Sequence, residues 1–204
     1  LNRKVEKKIS KKIVKNFFEM VVAPAFDKNA VEILKTRKNL ILLQTPVIKR
    51  EIKDYKSTLF GELHQTNDLT LINKTFISLA SDKKASLKLI DDLIFALKVV
   101  KHLKSNAIVL AKNKQTIGLG QGQTNRVDSL EFAIKNRDNY FKNKLFVCAS
   151  DGFFPFVDSI DLLNKYGCNA IAQPNGSIND DKIISFAKKN KISLYFIKNR
   201  LFKH

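Results

Sequence analysis

The sequence predicts an α/β domain in which a mixed sheet is flanked by helices. Three observations carry that reading. Residues 84–103 repeat apolar side chains at helical spacing. From residue 106 onward, short strand-type runs and helical segments follow one another as β–β–α–β–α–β–α–β. The later runs are apolar throughout, as strands must be when helices cover both faces. The chain has 204 residues, 44% of them hydrophobic. That suffices for one substantial core, or for one core with an appended subdomain.

The elements follow in order. In residues 5–18, Ile9, Ile13 and Phe17, with Val14 beside them, recur on one helical face. Residues 20–24 read as a short buried strand stopped by Pro24, which cannot donate to a ladder. Asp27 is a candidate cap for a helix over 28–36, with Val31 and Leu34 inward. Residues 39–45, NLILLQT, read as a buried strand. Val47, Lys49, Glu51 and Lys53 alternate within an exposed ribbon over 46–66. The stretch 67–80 is ambiguous beyond a turn at Asn67–Asp68.

Leu87, Ile90, Ile94 and Leu97, widened by Leu93, Val100 and Leu103, give the 84–103 helix a broad apolar face, so it belongs at the centre. Residues 106–112 and 115–120 form a hairpin turning at Asn113–Lys114. A helix over 127–141 turns Val127, Leu130 and Ile134 to one side. Strands follow at 145–150, 169–174 and 192–197. Between them, one helix starts at Asp158 or Ser159 and ends at Gly167, and another is capped by Asn179 and Asp180.

The net charge is +18, and the first 60 residues and the remaining 144 each carry +9. Such a field favours polyanions. A charge spread this evenly, mostly on Lys, argues against a dedicated nucleic-acid stripe, which stays the third-ranked function. Cys148 and Cys168 lie in apolar stretches and read as buried thiols, too few for a cysteine-rich zinc site. There is no signal-peptide pattern and no apolar run long enough for a membrane span. The absence of an H-x-E paired with P-C-x-x-C excludes zinc-deaminase chemistry.

Polar and aromatic groups gather after the predicted strands, where ligands of such sheets bind. They are GLGQGQTNR (118–126), SDGFFPFVD (150–158), QPNGS (173–177), Arg200 and His204, joined by Ser105–Asn106 just after the long helix. GLGQGQ is neither a dinucleotide fingerprint nor a triphosphate loop. It reads either as a tight hairpin end or as close backbone approach to a ligand with Arg126 as anion partner. DGFFPF reads either as a core plug or as the wall of a pocket for a planar ring. Asn175-Gly-Ser matches a glycosylation sequon, discounted because nothing suggests secretion. Its N–H groups read as a receiver for carboxylate or phosphate.

In order, VKHLKSNAIVLAK, QTIGLGQGQTNRVDS, SDGFFPFVDSI, AQPNGSINDD and RLFKH resemble the 5-aminoimidazole-4-carboxamide ribonucleotide (AICAR) transformylase/IMP cyclohydrolase family. The opening segment through APAFDKNAVEILKTRKNLILL is similar too, so the resemblance covers essentially the whole chain. It implies the C-terminal part of a transformylase domain built from cytidine-deaminase-like units. Residues 1–80 would be a partial linking region and 81–204 the second unit. The implied reaction moves a formyl group from 10-formyltetrahydrofolate to AICAR in purine synthesis, without a redox cofactor. The enzyme would be cytoplasmic and homodimeric.

Carried over by motif, Asn106 and His204 are the catalytic candidates, and with Phe153 and Arg200 they face the nucleotide. Arg126, Pro155, Phe156, Asp158, Ser177 and Phe202 face the folate. Ser105 and Asp151 match the neighbourhood of a structural potassium ion. The cyclohydrolase domain and the N-terminal transformylase region with its Lys-His pair lie outside these residues, and Lys101–His102 is not that pair. The isolated chain is therefore expected to be inactive; the second-ranked reading is a non-catalytic nucleotide- or folate-binding or assembly module. Asn125, Gly152 and Asn175 depart from the family's usual Ser, Ala and Gly.

Overall fold

The computed structural model of the chain describes residues 1–46, 53–140 and 145–204. It divides into two compact units, Leu1–Ile52 and Lys53–His204.

In the first unit, α1 (Lys7–Ile13), β1 (Met20–Ala23), α2 (Lys28–Lys35) and β2 (Ile41–Gln44) enclose a core of Val5, Ile13, Val21, Ala23, Ala30 and Leu34. β1 and β2 pair in parallel from Met20↔Ile41 to Ala23↔Gln44. Three expectations change here. α1 ends at Ile13, so Phe17 lies beyond the helix and is exposed rather than on its buried face. In β2, Ile41 and Leu43 are exposed, so the predicted buried strand is not buried within this unit. β1 alternates, with Val21 and Ala23 inward and Met20 and Val22 outward. Asp27 stands at the N-cap of α2 without a side-chain capping bond, because its carboxylate pairs with Lys4 at 2.6 Å.

In the second unit, β3 (Lys53–Thr58) and β4 (Gly61–Thr66) form an exposed antiparallel ribbon, as expected from residue 53 onward. Val47, Lys49 and Glu51 lie outside the described residues. The ambiguous 67–80 stretch resolves into a 3₁₀ turn (Lys74–Phe76) and β5 (Ile77–Leu79). Then come α3 (Leu87–Val100), β6 (Ile108–Lys112), β7 (Gln115–Gly120) and α4 (Arg126–Tyr140). β8 (Phe146–Ser150), α5 (Val157–Lys165), β9 (Cys168–Pro174), α6 (Asp180–Lys189) and β10 (Ser193–Ile197) complete the unit. The sheet order is β5-β10-β9-β8-β6-β7. β8, β9 and β10 are parallel, whereas β5, β6 and β7 join antiparallel. The mixed α/β architecture is therefore as predicted, although the sheet also recruits β5 from before residue 81.

Strand alternation sorts the interior into two layers. Val109, Ala111, Val147, Ala149, Ala170 and Ala172 face α3, and these small side chains let that one helix lie against the sheet. Ile108, Leu110, Phe146, Ile171 and Leu194 face α4, α5 and α6 through Leu130, Ile160, Leu163 and Ile183. α3 is central, as its broad stripe predicts, but Leu87 in its first turn is exposed. Val127 is likewise exposed in the first turn of α4, where Leu130, Ala133 and Ile134 are buried instead.

The β6–β7 turn places Asn113 and Lys114 at φ 52° and 56°, the conformation of a two-residue hairpin turn. Buried Asp92 on α3 accepts both of their N–H groups, at 2.9 and 2.7 Å. Both thiols are free and buried. Burial pushes the Cys168 thiol up to about 12. Burial, then the neighbouring Cys168, pushes Cys148 well above its ordinary value. No helix among the described residues is long and apolar enough to cross a membrane.

Candidate functional site

Sheet register brings the chemistry-bearing loops to one edge. β8, β9 and β10 are parallel, so their C-terminal ends share that edge. β6 runs against β8 with Ile108 opposite Ser150, so the start of β6 lies there too. β7 runs against β6 with Ile108 opposite Gly120, which adds the end of β7. Residues 105–107, 120–126, 150–158, 174–179 and 198–204 all leave the sheet at this edge.

α4 rides close over β7 because β7 carries glycines beneath it. A Cβ on Gly118 would strike the Ala133 carbonyl, and one on Gly120 would strike the Ser129 carbonyl. This close approach sets Arg126, the first residue of α4, over the strand ends. Its Nη2 donates to Asp151 Oδ1 at 2.9 Å and to Asn106 Oδ1 at 3.0 Å. Its Nη1 donates to the Phe153 carbonyl at 3.1 Å. Three loops far apart in sequence thus meet on one guanidinium. Asp151 is fully buried and the Arg126 side chain only 11% exposed, so the ion pair is well removed from solvent. A Cβ on Gly152 would run into that guanidinium and the Phe202 ring, so the glycine leaves the space Arg126 occupies.

Asn106 is held on every side. Its Nδ2 donates to the Gln123 and Thr124 carbonyls at 3.0 and 3.2 Å, and its own carbonyl accepts from Ser129 Oγ at 2.6 Å. With both amide hydrogens committed, the second lone pair of Oδ1 is the side chain's remaining hydrogen-bonding capacity. Ser129 was not anticipated. Its signal was available, because it follows Arg126 by three residues on one helix and so covers the same spot.

Arg200 lies over the Phe153 ring at 5.1 Å and the Phe202 ring at 5.7 Å, within cation–π range. The Phe202 and His204 rings are 5.9 Å apart. Of the aromatic loop, Phe154 is the core plug, whereas Phe153 is half-buried and Phe156 exposed. The core-plug reading thus holds for Phe154, while Phe153 and Phe156 are left toward solvent. Phe154 N–H donates to the buried Gln173 Oε1 at 3.2 Å.

The outer rim is looser. Asp158 is exposed in the first turn of α5, whose N-cap is Phe156 rather than Asp158 or Ser159. Asn179 Nδ2 donates to the Pro155 carbonyl at 2.8 Å, an unforeseen tie between the 174–179 and 151–156 loops. The turn expected to offer its N–H groups to an outside anion has its own. Asp180 Oδ2 accepts from Gly176 N–H at 2.7 Å and Ser177 N–H at 3.2 Å.

Ser105 Oγ accepts from Lys203 N–H at 3.1 Å, and Asp151 Oδ1 is taken by Arg126. Of the side-chain oxygens of these two residues, Asp151 Oδ2 is the one buried without a partner. One such oxygen is not a cation shell, and the guanidinium already supplies the compensating charge, so these two residues alone do not fit a potassium ion. Elsewhere, a hollow of about 660 Å³ opens in the first unit among Ile13, Phe17, Phe18, Met20, Arg37 and Ile41, without a cluster of reactive groups.

A covered sheet with polar and aromatic loops gathered beyond its strand ends is the layout of an α/β domain that binds small ligands. The particular relationship is explicit in the sequence. The chain belongs to the AICARFT/IMPCHase bienzyme family, whose model matches residues 1–136. It is 44% identical, over its whole length, to the bifunctional purine biosynthesis protein PurH of Persephonella marina, and 43% identical to that of Caldicellulosiruptor saccharolyticus. Over 94% of its length it is 41% identical to the PurH protein of Wigglesworthia glossinidia brevipalpis. It spans 40%, 39% and 37% of the length of these relatives, respectively.

Proposed function

We propose that the second unit supplies the C-terminal part of an AICAR transformylase site, where a formyl group passes from 10-formyltetrahydrofolate to the 5-amino group of AICAR. The observation that carries this reading is the meeting of Asn106, Asp151 and Phe153 on Arg126, beside the Phe153–Arg200–Phe202 stack. Of these positions, the family resemblance assigns Asn106, Phe153 and Arg200 to the nucleotide and Arg126 and Phe202 to the folate. On this reading residues 81–204 form the second cytidine-deaminase-like unit and residues 1–80 a linking region, within a homodimeric cytoplasmic enzyme.

In the reaction, the amine nitrogen bonds to the formyl carbon, the carbonyl oxygen gains charge, and the bond from carbon to N10 then breaks. The amine gives up a proton and N10 gains one. Arg200 holds the nucleotide phosphate by charge-assisted hydrogen bonds, and the Phe153 ring walls the planar base. Asn106 Oδ1 accepts from the nucleotide's N–H and fixes the amine for attack. His204 carries the imidazole that takes and returns the proton. Pro155, Phe156, Phe202 and Ser177 border the folate, and Asp158 accepts from its pterin N–H groups.

The remaining reactive groups are assigned to the rest of the protein, so these 204 residues bind without turning over. The test is a calorimetric AICAR titration together with a formyl-transfer assay on the purified chain. Saturable binding, weakened about tenfold or more in Arg200→Ala, with no product, is the expected result. Absence of saturable binding sinks the reading.

A further inference from the structure

The 202–204 segment, which carries Phe202 and His204, is bonded on both sides. On one side, Lys203 exchanges two bonds with Ser105: Ser105 N–H donates to the Lys203 carbonyl at 2.8 Å, and Lys203 N–H donates to Ser105 Oγ at 3.1 Å. On the other side, Gln65 spans the neighbours of Lys203. Its Nε2 donates to the Phe202 carbonyl, and its Oε1 accepts from His204 N–H, both at 2.8 Å. In an extended chain, the carbonyl of one residue and the N–H of the residue two further on point the same way. The Gln65 carboxamide, with one donor and one acceptor in use, thus stands where the peptide group of an adjacent strand would.

The choice of side chain is informative. β4 is otherwise exposed, and Gln65 is its one half-buried residue. Extended backbone also places side chains two residues apart on one face. Locking 202–204 straight therefore turns Phe202 and His204 to the same side, with their rings 5.9 Å apart.

We propose that Gln65 is a positioning residue, through which the β3–β4 ribbon straps the 202–204 segment and fixes the direction of Phe202 and His204. The consequence for ligand affinity rests on the nucleotide reading above. The strap itself does not.

The experiment is amide hydrogen exchange on the 204-residue chain, followed by AICAR titration. Gln65→Leu keeps the size and removes both bonds. Protection of the His204 amide is expected to fall about tenfold, while that of Ile171 in the centre of β9 is unchanged. Gln65→Glu keeps the acceptor for His204 but sets a carboxylate oxygen against the Phe202 carbonyl. Protonating it, near its ordinary pKa of about 4.3, recreates the donor. His204 protection in this variant is expected to rise as pH falls through that range, whereas the native chain shows no such rise.

Unchanged His204 protection in Gln65→Leu, or a pH response in Gln65→Glu no different from the native chain, overturns the strap. AICAR affinity is expected to drop about tenfold in Gln65→Leu, the same size as the lost protection. Equal affinity in the two proteins overturns the positioning role. If the native chain does not bind AICAR, the functional reading falls, and the exchange result alone decides the strap.

Discussion

The inner and outer parts of the candidate site are built differently. At the inner part, Arg126, Asp151, Asn106 and Ser129 bond one another beneath a helix held against β7 by two glycines. At the outer rim, Phe156 and Asp158 are exposed, and the loops are tied by single bonds such as Asn179 to Pro155. Polar groups out of water must be satisfied by the protein itself, so the inner part is committed to holding shape. The rim has exposed side chains and fewer ties between its loops. Buried and exposed construction are thus separated within the eight residues from Asp151 to Asp158.

Substitutions can break that separation. The largest effect is expected from Gly120→Ala, whose Cβ collides with the backbone carbonyl of Ser129. α4 would have to move, at a cost of about 3 kcal/mol, read as a lowered Tm. Asp151→Ala comes next. It strands the Arg126 guanidinium, whose Nε is already without a partner, and should cost about 3 kcal/mol in urea unfolding. It should also release the 151–156 loop. A loss below about 0.5 kcal/mol would mean that the pair is solvated.

The thiols sharpen the contrast by probing the layer beneath the network. Cys148 and Cys168 should resist a thiol reagent in the folded chain and react on unfolding. Because the Cys168 thiol is raised from 9.0 to about 12, the unfolded chain loses its proton first as pH rises. Stability therefore falls from about pH 9 toward 12 and is unaffected by this group below that window. Urea midpoints at neutral and alkaline pH read this directly. The smallest effect on stability belongs to Asp158→Ala, within about 0.5 kcal/mol of the native chain, while folate affinity falls at least tenfold. Equal losses of stability in Asp151→Ala and Asp158→Ala would erase the distinction.

Much of the second unit was legible because its environment agrees with its periodicity. β6 and β8 to β10 are covered on both faces, so their apolar runs mean what they suggest. The same kind of run misled at β2, where Ile41 and Leu43 are exposed. A run reports what a strand can bury, not what covers it. The convergence of the loops was also legible, since strand order and direction nearly dictate it.

Polar partner choice was not legible. Asp27 could have capped α2 and instead pairs with Lys4. The Asp180 carboxylate fills the turn that had suggested an anion receiver. Gln65 carries no periodic signal and meets residues 137 and 139 positions away. Such choices depend on non-local geometry, which a linear pattern does not encode.

The most direct measurement is a ¹H–¹⁵N NMR titration of the chain with AICAR. The account predicts saturable shifts at the Asn106 side-chain amide, at Phe153 and across Arg200–His204, with one common dissociation constant. Shifts confined to the hollow lined by Phe17, Met20 and Arg37, or none that saturate, would contradict it.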